Sequence, residues 1–146
     1  MQISSVMKKS VKMLKPSDTA LKAVRSMNTN RIGCVLIVDK GKLLGVITER
    51  DVLRSIVSEN QKPKSILCKT MMSSPVKTIE DTDDVIDAID LMATYKIKKI
   101  PVLHNKKVVG IITVTDILRS GERIEYAALK KLGRFFPVSP PVSQGG

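Results

Sequence analysis

The chain has 146 residues, of which 42% are apolar and 3% aromatic, with no Trp and a formal net charge of +11. A core is available, built from Ile, Val, Leu, Met and Ala. No apolar run approaches the ~20 residues of a membrane-spanning helix, and MQISSVMKKSVKMLK lacks the apolar stretch and cleavage site of a signal peptide. Cys34 and Cys68 fit neither a zinc spacing nor a disulfide framework. A cytoplasmic chain with reduced thiols is expected.

In chain order, Ile3 to Met7 reads as a short lead-in and Val11 to Leu14 as a strand. Pro16-Ser17-Asp18 is a start signal for a helix whose Leu21, Val24 and Met27 recur at helical spacing. Two apolar runs, Cys34 to Val38 and Leu43 to Ile47, flank the polar turn Asp39-Lys40-Gly41-Lys42 and predict a hairpin. A closing helix starts at Thr48 and carries Val52, Leu53 and Ile56. A polar linker with Pro63 follows, and Ile66 to Met71 reads as a second helical lead-in.

The pattern then repeats. Shifted by 65 residues, Met7 to Ser55 aligns with Met72 to Ser120 without a gap, pairing Val11/Val76, Asp18/Asp83, Met27/Met92 and Gly45/Gly110. The second copy has a strand at Val76 to Ile79 and a helix carrying Val85, Ile86, Ile89 and Met92. Its hairpin runs from Ile100 to Leu103 and from Val108 to Ile112, and its closing helix contains Ile117 and Leu118. The acidic cluster Glu80, Asp81, Asp83, Asp84 and Asp87 suits a helix start better than a metal.

The predicted fold is mixed α/β (α+β). Two tandem β-α-β-β-α units pack sheet to sheet about a pseudo-two-fold axis, since neither buries its sheet alone. The organisation is repeat one at 1–58, a linker at 59–68, repeat two at 69–121, and a basic stretch with a Pro-rich tail at 122–146. That stretch reads as helical from Glu122 to Leu132, ending at Gly133.

The closing corners carry the chemistry: GVITERDVLRS at 45–55 returns as GIITVTDILRS at 110–120. Thr-x-x-Asp at a helix start satisfies free backbone N–H groups as a capping box, worth about 0.5–2 kcal/mol. The preceding Gly admits a close neighbour or marks a bulge. The same groups suit a nucleoside phosphate: free N–H groups and a Thr hydroxyl for phosphate, an Asp for both ribose hydroxyls, and an Ile/Val slot for a purine.

Gly-h-h-Thr-x-x-Asp (h apolar) closing a duplicated β-α-β-β-α unit resembles the tandem cystathionine-β-synthase (CBS) domain pair, or Bateman module. The resemblance spans about Ile3 to Ser120. It implies no catalysis of the chain's own. It implies an adenosine ligand (AMP, ADP, ATP or S-adenosylmethionine) in clefts shared by the repeats, a homodimer assembled through helices, and an effector protein that responds. Site one would use Thr48, Arg50 and Asp51 with Lys77, Thr78, Ile97, Lys98 and Lys99. Site two would use Thr113, Thr115 and Asp116 with Lys12, Met13, Ile32, Gly33 and Cys34. Asp51 and Asp116 would hold ribose; Thr48, Thr113 and Thr115 would hold phosphate; Ile32 and Ile97 would line the base slot. Site one should hold phosphate more tightly, through Arg50, Lys98 and Lys99.

The sequence shows no catalytic Ser/His/Asp set and no metal-ligand cluster, and its one histidine, His104, falls in a turn. The alternative reading is a basic nucleic-acid-associated module, or a scaffold with vestigial sites. The net charge of +11 favours phosphates of any kind, while the scarcity of aromatics weakens single-strand binding.

Overall fold

A computed structural model describes residues 1–120, 124 and 126–135. The Pro-rich tail beyond Phe135 lies outside the described residues, as do Glu122, Arg123 and Glu125 of the basic stretch. Architecture is mixed α+β, with two three-stranded sheets ordered β1-β2-β3 and β4-β5-β6.

The chain divides into two units. The first-repeat unit holds Ser10–Lys77 with Asn105–Val108. Its strand β1 is only Met13–Leu14, pairing in parallel with Leu36 and Ile37 of β2 (Cys34–Asp39). β2 runs antiparallel to β3 (Lys42–Thr48), with a register shift between Ile37 and Val38. Between β1 and β2 lies α1 (Ala20–Asn30), capped by Thr19, whose hydroxyl accepts from Lys22 N at 3.2 Å. α1 ends where Arg31 takes a left-handed conformation at φ 52°. Ala20, Ala23 and Met27 turn inward onto Val35, Ile37 and Ile47. The closing helix α2 (Glu49–Val52) loosens into a π-helical turn over Leu53–Val57, and α3 (Cys68–Met71) completes the unit.

The second-repeat unit holds Met1–Lys9, Thr78–His104 and the described residues from Val109 onward. It contains β4 (Ile79–Glu80), parallel to β5 (Lys99–His104), then β6 (Lys107–Thr113) from Val109 onward and α5 (Val114–Arg119). The acidic cluster does start a helix. Asp84 caps α4 (Val85–Tyr95), accepting from Ile86 N at 2.9 Å, while Asp87 accepts from Asp84 N at 3.1 Å. The hydrogen bond from Ile86 N–H, then that from the N-terminal ammonium, holds the Asp84 carboxyl below its ordinary value.

The two lead-in segments fold away from the repeats they precede. Ile3 is fully buried among Val85, Ile89 and Ile112 of repeat two, and its N–H donates to Asp83 O at 2.9 Å. Ile66, Cys68 and Met71 are buried with the core of repeat one, and Cys68 N donates to Asp18 O at 2.8 Å. Each lead-in therefore completes the other repeat's unit.

The basic stretch is helical over α6 (Tyr126–Lys130), then continues as a 3-10 turn through Lys131–Arg134. It passes Gly133, the expected stop, because fully buried Leu132 anchors the turn in the second core.

Candidate functional site

The two Thr-x-x-Asp corners fold alike. Asp51 and Asp116 are the buried charged residues of the described chain, 2% and 8% exposed. In the first-repeat unit Asp51 Oδ2 accepts from Thr48 N at 2.8 Å and from Thr48 Oγ1 at 3.0 Å. Asp51 N donates back to Thr48 Oγ1 at 3.4 Å. In the second-repeat unit the matching distances are 3.0, 2.8 and 3.1 Å. Both corners are complete capping boxes. Each Thr hydroxyl has spent its one proton on the Asp, so donation to a phosphate requires that bond to open.

The second carboxylate oxygen differs between the corners. Asp51 Oδ1 accepts from Ser73 Oγ and from Arg54 Nη2, each at 2.7 Å. Asp116 Oδ1 has the Lys8 ammonium at 3.6 Å and no hydrogen bond from the described residues. Ser73 and Lys8 occupy the same repeat column, and both belong to the exchanged lead-ins. They were not among the expected site residues.

The glycines explain how the lead-ins arrive. Ser73 pairs with Val46, with N–H···O distances of 2.9 and 3.1 Å, and Lys8 pairs with Ile111 at 2.9 Å in both directions. A Cβ on Gly45 would stand 2.5 Å from Met72 Sδ and 2.9 Å from Ser73 O. On Gly110 it would stand 2.6 Å from Lys8 O. Only glycine lets the lead-in backbone lie against the last strand.

The expected site-one residues divide between the units: Thr48, Arg50, Asp51 and Lys77 in the first, Thr78, Ile97, Lys98 and Lys99 in the second. For site two, Lys12, Met13, Ile32, Gly33 and Cys34 lie in the first-repeat unit, and Thr113, Thr115 and Asp116 in the second. Within the first unit, Cys34 is the register partner of Thr48, and Gly33 O accepts from Glu49 N at 3.2 Å. Within the second, Lys98 O accepts from Val114 N at 2.9 Å, and the Lys98 ammonium lies 5.7 Å from the Phe135 ring centroid. Arg50, Lys99 and Thr115 are exposed. Because α2 spans only Glu49–Val52, its dipole adds little, and anion binding would fall to side chains.

Elsewhere, burial pushes the Cys68 thiol up to about 11, far from a reactive thiolate. His104 is exposed and pairs with Asp81 Oδ1 at 2.9 Å.

The CBS domain profile matches residues 3–58 and 68–123. The chain belongs to the CBS-domain family. It is 37% identical over 106 residues to protein MK0525 of Methanopyrus kandleri, covering 71% of this chain and 54% of that one. It is 32% identical over 123 residues to the CBS domain-containing protein CBSX3, mitochondrial, of Arabidopsis thaliana, covering 81% and 60%. The chain thus spans little more than half the length of these curated relatives. The CBS domain pair of protein MJ0100, crystallised with 5′-methylthioadenosine and S-adenosyl-L-methionine, is 26% identical and superposes with a TM-score of 0.74 over 84% of this chain and 100% of that one. No helix of the described residues is long and apolar enough to cross a membrane.

Proposed function

We propose that this CBS pair is a non-catalytic sensor that binds an adenosine ligand and reports it to a partner protein. The observation that carries the reading is the Asp116 carboxylate. It is almost fully buried, its Oδ2 is fixed by Thr113, and among the described residues its Oδ1 has only an ammonium 3.6 Å away. A carboxylate oxygen held rigid beneath a backbone corner is suited to ribose hydroxyls. The adenosine ligands of the MJ0100 pair support the same class.

The two sites would differ in what they take at the 5′ position. Site one carries Arg50, Lys98 and Lys99, suited to phosphates; the matching columns of site two carry Thr115, Gly33 and Cys34. Site two therefore suits a ligand without phosphate, such as S-adenosylmethionine, and site one AMP, ADP or ATP. Asp51 Oδ1 must release Ser73 or Arg54 to receive a ribose, so site-one binding would loosen the lead-in.

The test is thermal unfolding with AMP, ATP and S-adenosylmethionine. A ligand at ~100 times its dissociation constant adds ~2.7 kcal/mol of stability. No shift from any adenosine compound, with salt-sensitive RNA or DNA binding, would favour the nucleic-acid reading instead.

A further inference from the structure

The two aspartate corners are alike in fold and unlike in charge. At Asp51 one carboxylate is bonded to one cation: Oδ1 accepts from Arg54 Nη2 and from the neutral Ser73 hydroxyl, each at 2.7 Å. At Asp116 the balance is more positive. The lead-in that reaches it reads Lys8-Lys9, where the lead-in at Asp51 reads Ser73-Ser74. Arg119 follows Asp116 in α5 at the spacing at which Arg54 follows Asp51, yet it forms no ion pair among the described residues.

The Lys8 backbone is pinned. Its N–H and its carbonyl both pair with Ile111 at 2.9 Å, and a Cβ on Gly110 would stand 2.6 Å from that carbonyl oxygen. The root of the side chain is therefore fixed against β6. Its ammonium stands 3.6 Å from Asp116 Oδ1, just beyond hydrogen-bond distance, with the side chain 59% exposed. The ammonium has three N–H donors to offer a ligand. Asp116 itself is buried, and Thr113 occupies its Oδ2. The corner thus presents one rigid acceptor, Oδ1, with one strong donor beside it.

The diol of an unmodified ribose offers two hydroxyls to two acceptors. An acceptor next to a cation is matched instead by one hydroxyl next to one anion. A ribose phosphorylated on its 2′ or 3′ oxygen has that pattern on adjacent carbons. Its remaining hydroxyl donates to Asp116 Oδ1, and its phosphate accepts from Lys8. The ammonium also offsets the repulsion between phosphate and carboxylate.

We propose that Lys8 and Asp116 form a subsite for a phosphate on the ribose edge, so that site two selects adenosine 2′- or 3′-phosphates over adenosine. This rests on the adenosine reading of Asp116 and deepens it. Lys8, Thr113, Asp116 and Arg119 all belong to the second-repeat unit. Site one takes its phosphate at the 5′ end, through Arg50, Lys98 and Lys99; site two takes it at the opposite edge of the sugar.

The test is titration calorimetry of the full chain at low salt with adenosine, adenosine 2′-monophosphate and adenosine 3′-monophosphate. One of the two phosphates should bind about tenfold more tightly than adenosine, and the better one identifies the esterified oxygen. The preference should shrink as salt rises. Lys8→Ser, which copies the residue of the other lead-in, and Lys8→Gln, which keeps most of the stem, should each cancel the preference while circular dichroism stays native. Lys8→Arg should keep it. Equal affinities on the native chain, or a preference that survives both neutral variants, would overturn the subsite and leave the adenosine reading standing. No heat from any of the three compounds would overturn both.

Discussion

Ser73 Oγ donates to Asp51 Oδ1 at 2.7 Å, tying the lead-in before repeat two to the corner that closes repeat one. The bond joins residues 22 positions apart and converts a local cap into a tertiary anchor. Its counterpart in the other unit is the looser Lys8–Asp116 contact at 3.6 Å. The same column thus holds a hydroxyl bonded to its aspartate in one unit and a more distant ammonium in the other.

Asp51→Ala should therefore destabilise more than Asp116→Ala. Asp51 satisfies Thr48 N, Thr48 Oγ1, Ser73 and Arg54, and its loss should cost about 2–4 kcal/mol, set against about 1–2 kcal/mol for Asp116. Ser73→Ala alone should cost about 1–2 kcal/mol. Urea unfolding of the three variants checks the order, and an Asp116→Ala penalty equal to that of Asp51→Ala would refute it.

Gly45→Ala and Gly110→Ala should both destabilise by about 1–3 kcal/mol through overpacking. Gly110→Ala should be the worse of the two. Its nearest neighbour is the Lys8 backbone oxygen at 2.6 Å, whereas Gly45 meets the flexible Met72 Sδ at 2.5 Å first. Hydrogen exchange should show lost protection at Ile111 N in Gly110→Ala, since that amide bonds Lys8 O.

Cys68 should resist thiol reagents in the folded protein at pH 8. Its thiol is fully buried and pushed up to about 11 by desolvation, then by the nearby Asp18 charge. In urea it should react at the rate of an ordinary cysteine. Rapid native labelling of Cys68, located by peptide mapping, would contradict its placement in the first core.

His104 should titrate above its ordinary 6.5, because its hydrogen bond to Asp81 and that residue's charge favour the imidazolium. With the folded value raised, the pair's stabilisation is fully present below the unfolded pKa. It fades as pH rises from there through the folded value. NMR titration of His104 in the native protein and in Asp81→Asn should show the value falling in the variant.

The repeat was legible because a 65-residue shift aligns Thr48 with Thr113 and Asp51 with Asp116, and local rules then placed caps and hairpins. Asp84 and Asp87 at the start of α4 were readable on the same grounds. Exchange of the lead-ins was not, because pairing Lys8 with Ile111 is a contact across most of the chain with no local signature. The polar 8/73 column was visible, but nothing nearby pointed its side chains at an aspartate. Beyond Lys130, Gly133 signals a stop, yet burial of Leu132 carries the helical path past it. The π-helical turn over Leu53–Val57 likewise has no marker in its residues.

The most direct measurement is titration calorimetry with S-adenosylmethionine and AMP on the native chain, Asp51→Asn and Asp116→Asn, all checked for native circular dichroism. Adenosine binding through the buried carboxylates predicts that S-adenosylmethionine heat disappears in Asp116→Asn and survives in Asp51→Asn, with AMP showing the reverse. Unchanged heats in both folded variants, or no heat from either ligand on the native chain, would contradict it.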